Sequence, residues 1–338
     1  MTSCMRVLLV KTSSLGDVVH TFAALTDAGK VLPGLRVDWV IEEAYAELPR
    51  LHPRVHEVIP VALRRWRRTP WAMDTRRAWS ELRHRLQQPY DVVIDAQGLL
   101  KSAWLLRLTQ GPRFGFDRAC VREPLASWFY DHKISVSRSL HAVERSRRLL
   151  AAALGYEVQG DVDYGLQVAP DMSCQEAIWL LHGTTWPTKH WPEGQWRQLA
   201  ERLSQQGERV MVPFGNEQEQ ERAQRLVTNL PRAGLWQPHG LARLAAALAG
   251  AKAVVTVDSG LGHLAAALQR PVSGLYGPTD TRLTGLYGTT VTNLLGQRPC
   301  SPCLQHHCAL QKKPTPVGWP PCMADHQVDD LIHCTQVR

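Results

Sequence analysis

Short apolar runs alternate along this chain with longer stretches whose apolar positions recur at three- and four-residue spacing. The runs Val7–Val10, Val37–Ile41, Val92–Ile94, Ile178–Leu181, Val210–Pro213, Ala253–Val257 and Pro271–Leu275 predict strands buried on both faces. The stretches Val18–Lys30, Thr75–Gln87, Lys101–Thr109, His141–Leu154, Glu193–Gln206, Glu217–Leu230, Leu241–Gly250 and Gly262–Leu268 predict helices. Alternation of this kind predicts an α/β protein with parallel sheets covered by helices. The pattern lapses between Gly155 and Cys174, where three Gly and Pro170 interrupt any period. The expected layout is a domain over residues 1–160, a linker over 161–174 and a second domain over 175–338. No repeat of 20 to 50 residues is visible.

Ligands of doubly wound folds collect at strand C-termini, so the strand–helix turns carry the candidate chemistry. The first turn, Lys11-Thr12-Ser13-Ser14-Leu15-Gly16, is small and polar and suits an anion, yet Asp17 follows it at the expected helix start. "DVVIDAQGLLKSA" has the same plan, with Asp95 placed to cap the turn or to bond a ligand, the structural role being favoured. "ALRRWRRTPW" sets Arg64, Arg65, Arg67 and Arg68 around Trp66 after the strand-like Val58–Ala62. Four guanidiniums this close suit a discrete polyanion or carboxylate; the alternative is a solvated loop. Arg113, Arg118, His141 and Arg145 are weaker acceptor-contact candidates.

In the second half, "WLLHGTTWPTKHWPEGQW" runs from a strand through Thr184 and Thr185 to Lys189 and then into a helix. Small hydroxyls, loop N–H groups and a lysine beside a helix N-terminus suit a diphosphate. "VVTVDSGLGHLAAAL" places Asp258, Ser259 and Gly260 at a strand end, with His263 one turn into the next helix. Glu217, after a Gly-Asn turn, suits a ribose hydroxyl or, equally, the helix dipole alone. Each stretch alone also fits a capped turn; their succession in one domain favours a ligand.

Composition narrows the options. With 44% hydrophobic and 21% charged residues the chain reads as folded and globular. A net charge of +8 points weakly to an anionic partner. Nucleic acid asks for aromatics spread along a basic stripe, and the arginine cluster is compact; a non-enzymatic polyanion binder is the outlying alternative. No P-loop and no complete dinucleotide fingerprint occurs. No signal peptide or membrane-spanning run is visible, so the expected location is the cytoplasm. Asp161 and Asp163 form a D-x-D inside the expected linker, a poor place for a metal pair. Cys300, Cys303, Cys308 and Cys322 offer a zinc site, a disulfide or free thiols.

Taken in order, "MRVLLVKTSSLGDVVHT", "IPVALRRWRR", "DVVIDAQGLLKSA", "REPLAS", "HAVER", "HGTTWPTKHWPE", "AGAKAVVTVDSGLGHLAAAL" and "LYGPTD" resemble the bacterial lipopolysaccharide heptosyltransferases of glycosyltransferase family 9. The resemblance is closest to the heptosyltransferase I members and runs from Met5 to about Gly296. It implies a GT-B fold, two Rossmann-like domains facing across a cleft. It implies an inverting, metal-independent enzyme without cofactor that moves L-glycero-D-manno-heptose from ADP-heptose to a Kdo residue of Kdo2-lipid A. It implies peripheral contact with the cytoplasmic face of the inner membrane and no nucleic-acid partner. Carried onto this sequence, the catalytic base falls on Asp17. The donor-binding positions fall on Thr184, Thr185, Lys189, Glu217, Asp258, Ser259, Gly260 and His263. The acceptor-binding positions fall on Arg64, Arg65, Arg67, Arg68 and Arg122. Two departures stand out. Met1–Cys4 precede the family's usual start, and the cysteine-rich tail resembles that of heptosyltransferase II, which leaves a different inner-core acceptor as the alternative.

Overall fold

The computed structural model describes residues 4–237, 239–310 and 319–336. The chain divides into two units, Met1–Gln167 and Val168–Arg338. The first unit holds strands β1 (Arg6–Val10), β2 (Arg36–Glu42), β3 (Val55–Val61), β4 (Val92–Asp95), β5 (Arg113–Phe116) and β6 (His132–Ile134). Its helices are α1 (Leu15–Val31), α2 (Leu63–Arg68), α3 (Met73–Leu86), α4 (Leu100–Leu105) and α5 (Ala142–Leu154). The second unit holds β7 (Ala177–Leu181), β8 (Arg209–Pro213), β9 (Ala233–Trp236), β10 (Ala253–Val257), β11 (Val272–Tyr276) and β12 (Val291–Leu295). Its helices are α6 (Glu193–Gln205), α7 (Glu217–Val227), α8 (Leu241–Ala249), α9 (Gly260–Ala267), α10 (Thr281–Thr284), α11 (Pro321–Ala324) and α12 (Val328–Gln336).

Each unit is one six-stranded parallel sheet, ordered β3-β2-β1-β4-β5-β6 in the first and β12-β11-β10-β7-β8-β9 in the second. Both are the Rossmann order. In both, the strand order reverses between the unit's first and fourth strands, and the helices that follow those two strands leave a crevice. That crevice lies beside Val10 and Asp95 in the first unit and beside Leu181 and Thr256 in the second.

The seven strands and eight helices expected from periodicity are all present. The central strands are legible because they are buried on both faces and read as unbroken apolar runs. The strands β5, β6, β9 and β12 escape that signal. They sit at or next to a sheet edge, are short, and mix in polar or half-exposed residues. The arginine cluster lies on a helix, α2, not in a loop; Trp66 is its buried side and the arginines its exposed side. No helix or strand lies between Gly155 and Asp171.

Helix α1 anchors the first unit. Ser14 and Asp17 close a capping box at its start, and twelve of its residues, from Val18 to Gly29, are buried. Asp27 of α1 meets Arg147 of α5 at 2.6 Å, with both side chains buried. Arg147 also donates to the carbonyls of Gln159 and Gly160, which ties the connecting segment to both helices. Removing one partner would strand a buried charge at a cost of about 3–5 kcal/mol.

Candidate functional site

The loop after β1 carries the first set of groups. The backbone N–H groups of Thr12 and Ser13 both donate to Gln97 Oε1, at 2.9 and 3.0 Å. Lys11 Nζ donates to the Ala96 carbonyl at 3.0 Å and lies 3.8 Å from Asp17 Oδ1. The loop therefore spends its own donors on the neighbouring β4 turn, which removes the phosphate-cradle reading. Asp17 remains 30% exposed, with Oδ2 accepting from Ser14 N and Ser14 Oγ at 3.0 and 2.9 Å. Burial works to raise its pKa, but Lys11, His20 and the Ser14 bonds outweigh it and bring the carboxyl down to about 2. Asp17 is thus a fixed, ionised carboxylate at the switch point of the first sheet.

Asp95 is structural. It is fully buried and accepts from Gln97 N, Gly98 N, Ser102 Oγ and Tyr130 Oη. This network shapes the turn that receives the Asp17 loop. Arg122 flanks the same turn: its backbone N would lie 3.4 Å from a Cβ placed on Gly98. On α2, Arg64, Arg65, Arg67 and Arg68 are all exposed. Arg65 is held by both carboxylate oxygens of Glu43, at 3.3 and 2.8 Å.

The weaker candidates separate. His141 caps α5 and its ring meets that of His20 at 5.6 Å, edge to face. Arg145 donates to the Cys120 carbonyl and lies over the Phe116 ring. Arg118 is exposed. Arg113 starts β5, at the edge of the sheet opposite the strand C-termini, where Asp131 accepts two hydrogen bonds from its guanidinium and one from its backbone N. In the D-x-D, Asp163 is committed to Lys30 and to Gly165 N.

In the second unit, the turns after β7 and β10 converge on Asp258. Its Oδ2 meets Lys189 Nζ at 2.7 Å and accepts from Thr279 Oγ1 at 2.7 Å. His263 Nε2 lies 3.9 Å from Oδ1, and the Asp258 carbonyl accepts from Thr184 Oγ1 at 3.1 Å. Burial pushes the Asp258 carboxyl up, yet His263 and Lys189 hold it well below the usual carboxylate range. Lys189 also lies over the Trp186 ring, 4.2 Å from its centroid. Thr185 is exposed on the same turn. Ser259 caps α9 by accepting from Gly262 N at 3.2 Å. Gly262 is required there, because a Cβ would lie 2.6 Å from the Thr256 methyl. The result is a lysine held beside the N-terminal turn of an eight-residue helix, a local field that attracts anions.

Glu217 and Glu219 part company. Glu217 is exposed at the first position of α7. Glu219 accepts from Gly215 N at 2.7 Å, and its carboxylate lies so close to Gly183 that a Cβ there would come within 2.9 Å. The carboxylate placed against the Gly183–Lys189 turn is therefore Glu219. Two-residue spacing on a helix start conceals this; only the path of the preceding turn decides it.

Among the described residues no group of three or more His, Cys, Asp and Glu side chains is placed to hold a metal ion. No two of the eight cysteines are joined by a disulfide. No helix among the described residues is long and apolar enough to cross a membrane.

Comparison with known proteins agrees with this geometry. Residues 79–313 match the profile of glycosyltransferase family 9 (heptosyltransferase). The chain is 51% identical over 313 residues to lipopolysaccharide heptosyltransferase 1 of Pseudomonas aeruginosa, covering 91% of this chain and 88% of that protein. It superposes on the structure of E. coli heptosyltransferase WaaC with ADP at a TM-score of 0.82 and 46% identity, covering 86% of this chain and 92% of the other. Similarity to lipopolysaccharide heptosyltransferase 2 of E. coli is partial, 36% over 104 residues and 29% of this chain. Two parallel-sheet units of Rossmann order, with charged turns at both switch points, are the GT-B architecture of these enzymes, and the chain belongs to glycosyltransferase family 9, the heptosyltransferases.

Proposed function

We propose that the protein moves L-glycero-D-manno-heptose from ADP-heptose to a Kdo residue of Kdo2-lipid A, with inversion at the anomeric carbon. The observation that carries this reading is the Lys189–Asp258 contact at 2.7 Å at the second sheet's switch point, in a chain so similar to heptosyltransferase 1.

In this reading the second unit binds the donor. Lys189, the loop N–H groups near Thr184 and Thr185, and the first turn of α9 at Ser259 and Gly260 take the diphosphate. Asp258, with His263 beside its other oxygen, holds Lys189 in place, and Glu219 or Glu217 takes a ribose hydroxyl. The first unit binds the acceptor through Arg64, Arg67, Arg68 and Arg122, whose positive charge suits the Kdo carboxylates; Arg65 steadies α2 through Glu43. The acceptor oxygen attacks the anomeric carbon as its bond to the ADP oxygen breaks. ADP departs with the bonding pair, and the hydroxyl proton passes to Asp17. A carboxylate of pKa near 2 is a weak base, so the proton leaves late, once C–O bond formation has acidified it. Lys189 and the helix terminus supply the leaving-group charge that a divalent ion provides elsewhere, so we propose a metal-independent reaction. The location that suits the lipid acceptor is the cytoplasmic side of the inner membrane, with peripheral contact and no nucleic-acid partner.

The test is transfer from ADP-heptose to Kdo2-lipid A and to heptosyl-Kdo2-lipid A, with and without EDTA. Product on the first acceptor only, unaffected by EDTA, supports the reading. Product on the second only would reassign the acceptor, and loss with EDTA would return a metal to the mechanism.

A further inference from the structure

The first unit exposes a group of large apolar side chains that the reaction does not use. Trp71 is 80% exposed, Met73 83% and Trp128 70%, and Leu100, Trp104 and Leu125 are also exposed. These residues lie on adjoining elements. Trp79 of α3 packs against Trp66 of α2 at 5.1 Å and against Trp104 of α4 at 5.5 Å. The start of α4 is bonded to the segment that carries Leu125 and Trp128, by Leu100 N to Glu123 at 2.6 Å and Glu123 N to the Gly98 carbonyl. All of these segments follow the C-terminal ends of β3, β4 and β5. In a parallel sheet those ends emerge at one edge, so the group shares its edge with Asp17 and the α2 arginines.

The charge around this group is one-sided. Residues 63–86 contain eight arginines against Asp74 and Glu81. Arg65, Arg77 and Arg85 pair with Glu43, Glu81 and Glu57. Arg64, Arg67, Arg68 and Arg83 are exposed, and Arg76 lies over the Trp71 ring. Single exposed apolar residues need no explanation, but tryptophans and aliphatics amid arginines are the composition of an interfacial surface. A second copy of the chain would bring the same arginines against themselves in a two-fold contact. A nucleic acid would use the rings but has no use for Met73, Leu100 and Leu125.

We propose that Trp71, Met73, Trp104 and Trp128, with the flanking arginines, dock the first unit onto an anionic phospholipid bilayer. The aromatic and aliphatic side chains enter the headgroup region and the guanidiniums meet lipid phosphates. This deepens the reading that the acceptor is a lipid, since the docked edge is the one that carries the acceptor-binding arginines. An acceptor sugar standing on the bilayer then meets Arg64 and Arg67 without leaving the membrane.

The test is flotation of the full chain with vesicles of phosphatidylethanolamine and phosphatidylglycerol, without donor or acceptor. The triple variant Trp71→Ser, Met73→Ser, Trp128→Ser is compared with Met172→Ser, an exposed apolar residue of the second unit. The expected result is that the wild type and Met172→Ser float, while the triple variant partitions about tenfold less or weaker still. Transfer to an acyl-free Kdo disaccharide stays unchanged in the triple variant, and transfer to vesicle-embedded acceptor slows. The proposal is overturned if the wild type does not float on anionic vesicles, or if the triple variant floats as the wild type does. It is also overturned if the three substitutions instead abolish a wild-type dimer or oligonucleotide binding. Flotation without transfer to either acceptor would leave the surface standing and sink the proposed reaction, so the two failures are distinct.

Discussion

Lys189 and Asp258, on turns that follow two neighbouring parallel strands, meet at 2.7 Å. Asp258 is kept ionised by this contact, and Thr279 and His263 hold its two oxygens. A half-buried lysine so placed is oriented before any ligand arrives, which lowers the ordering cost of meeting a diphosphate.

Replacing that lysine removes a charge-assisted contact. Lys189→Gln, which can still bond to Asp258, should weaken ADP binding by about 10- to 100-fold, the range of hydrogen bonds to charged groups. Titration calorimetry reads the change. An unaltered dissociation constant would take Lys189 out of the diphosphate site.

Asp17→Asn keeps an oxygen for the Ser14 bonds that start α1 but cannot accept the acceptor proton. Transfer should fall by about 10²- to 10⁴-fold, with ADP-heptose affinity unchanged. Because the carboxyl titrates near 2, it is fully ionised throughout the neutral range. The wild-type rate should therefore show no acid limb from this group above about pH 5. A limb near about pH 6 that disappears in the variant would contradict the assignment.

Glu219 and Glu217 differ by two positions and by their surroundings. Glu219→Ala should raise the donor KM by about tenfold, because a carboxylate against the Gly183 turn is lost. Glu217→Ala, on the exposed face, should change it little. The reverse ranking, measured by initial rates at varied ADP-heptose, would restore Glu217.

Three histidines make the fold acid-sensitive. Burial, with Arg54 or Arg222 nearby, lowers His52, His182 and His190 from 6.5 to about 4. The folded state therefore binds fewer protons than the unfolded state between those values. The stability they contribute is complete above about pH 6.5 and is lost as pH falls towards 4. His52 shows the cause: Nδ1 accepts from Arg54 N at 3.2 Å, so the ring's proton sits on Nε2, facing Thr26 Oγ1 at 3.0 Å. Protonating Nδ1 ends the first bond. Each fully buried histidine of this kind contributes at most roughly 3 kcal/mol, since a tenfold change in proton affinity is worth about 1.4 kcal/mol. Urea midpoints should fall over that pH window, and His52→Gln should flatten part of the slope. A midpoint that stays constant from about pH 7 down to about pH 4 would refute the account.

Hydrophobic pattern alone determined the two parallel-sheet units, because central strands buried on both faces and amphipathic helices write their periods into the chain. It also marked the turns that carry Asp17, Lys189 and Asp258, since small polar residues between an apolar run and a helix stand out locally. The edge strands β6, β9 and β12 left no such mark, because half-exposed strands need no continuous apolar run. Tertiary structure decided what the turns do. The opening loop suits an anion by its composition, but Gln97, 85 residues further along the chain, takes its N–H groups. Whether Asp17 titrates high or low depended on the balance of burial against Lys11 and His20. The choice of Glu219 over Glu217 beside Gly183 depended on the path of one turn. Sequence periodicity reports which face of an element is buried, but long-range partners exist only once the sheet has brought distant strand ends together.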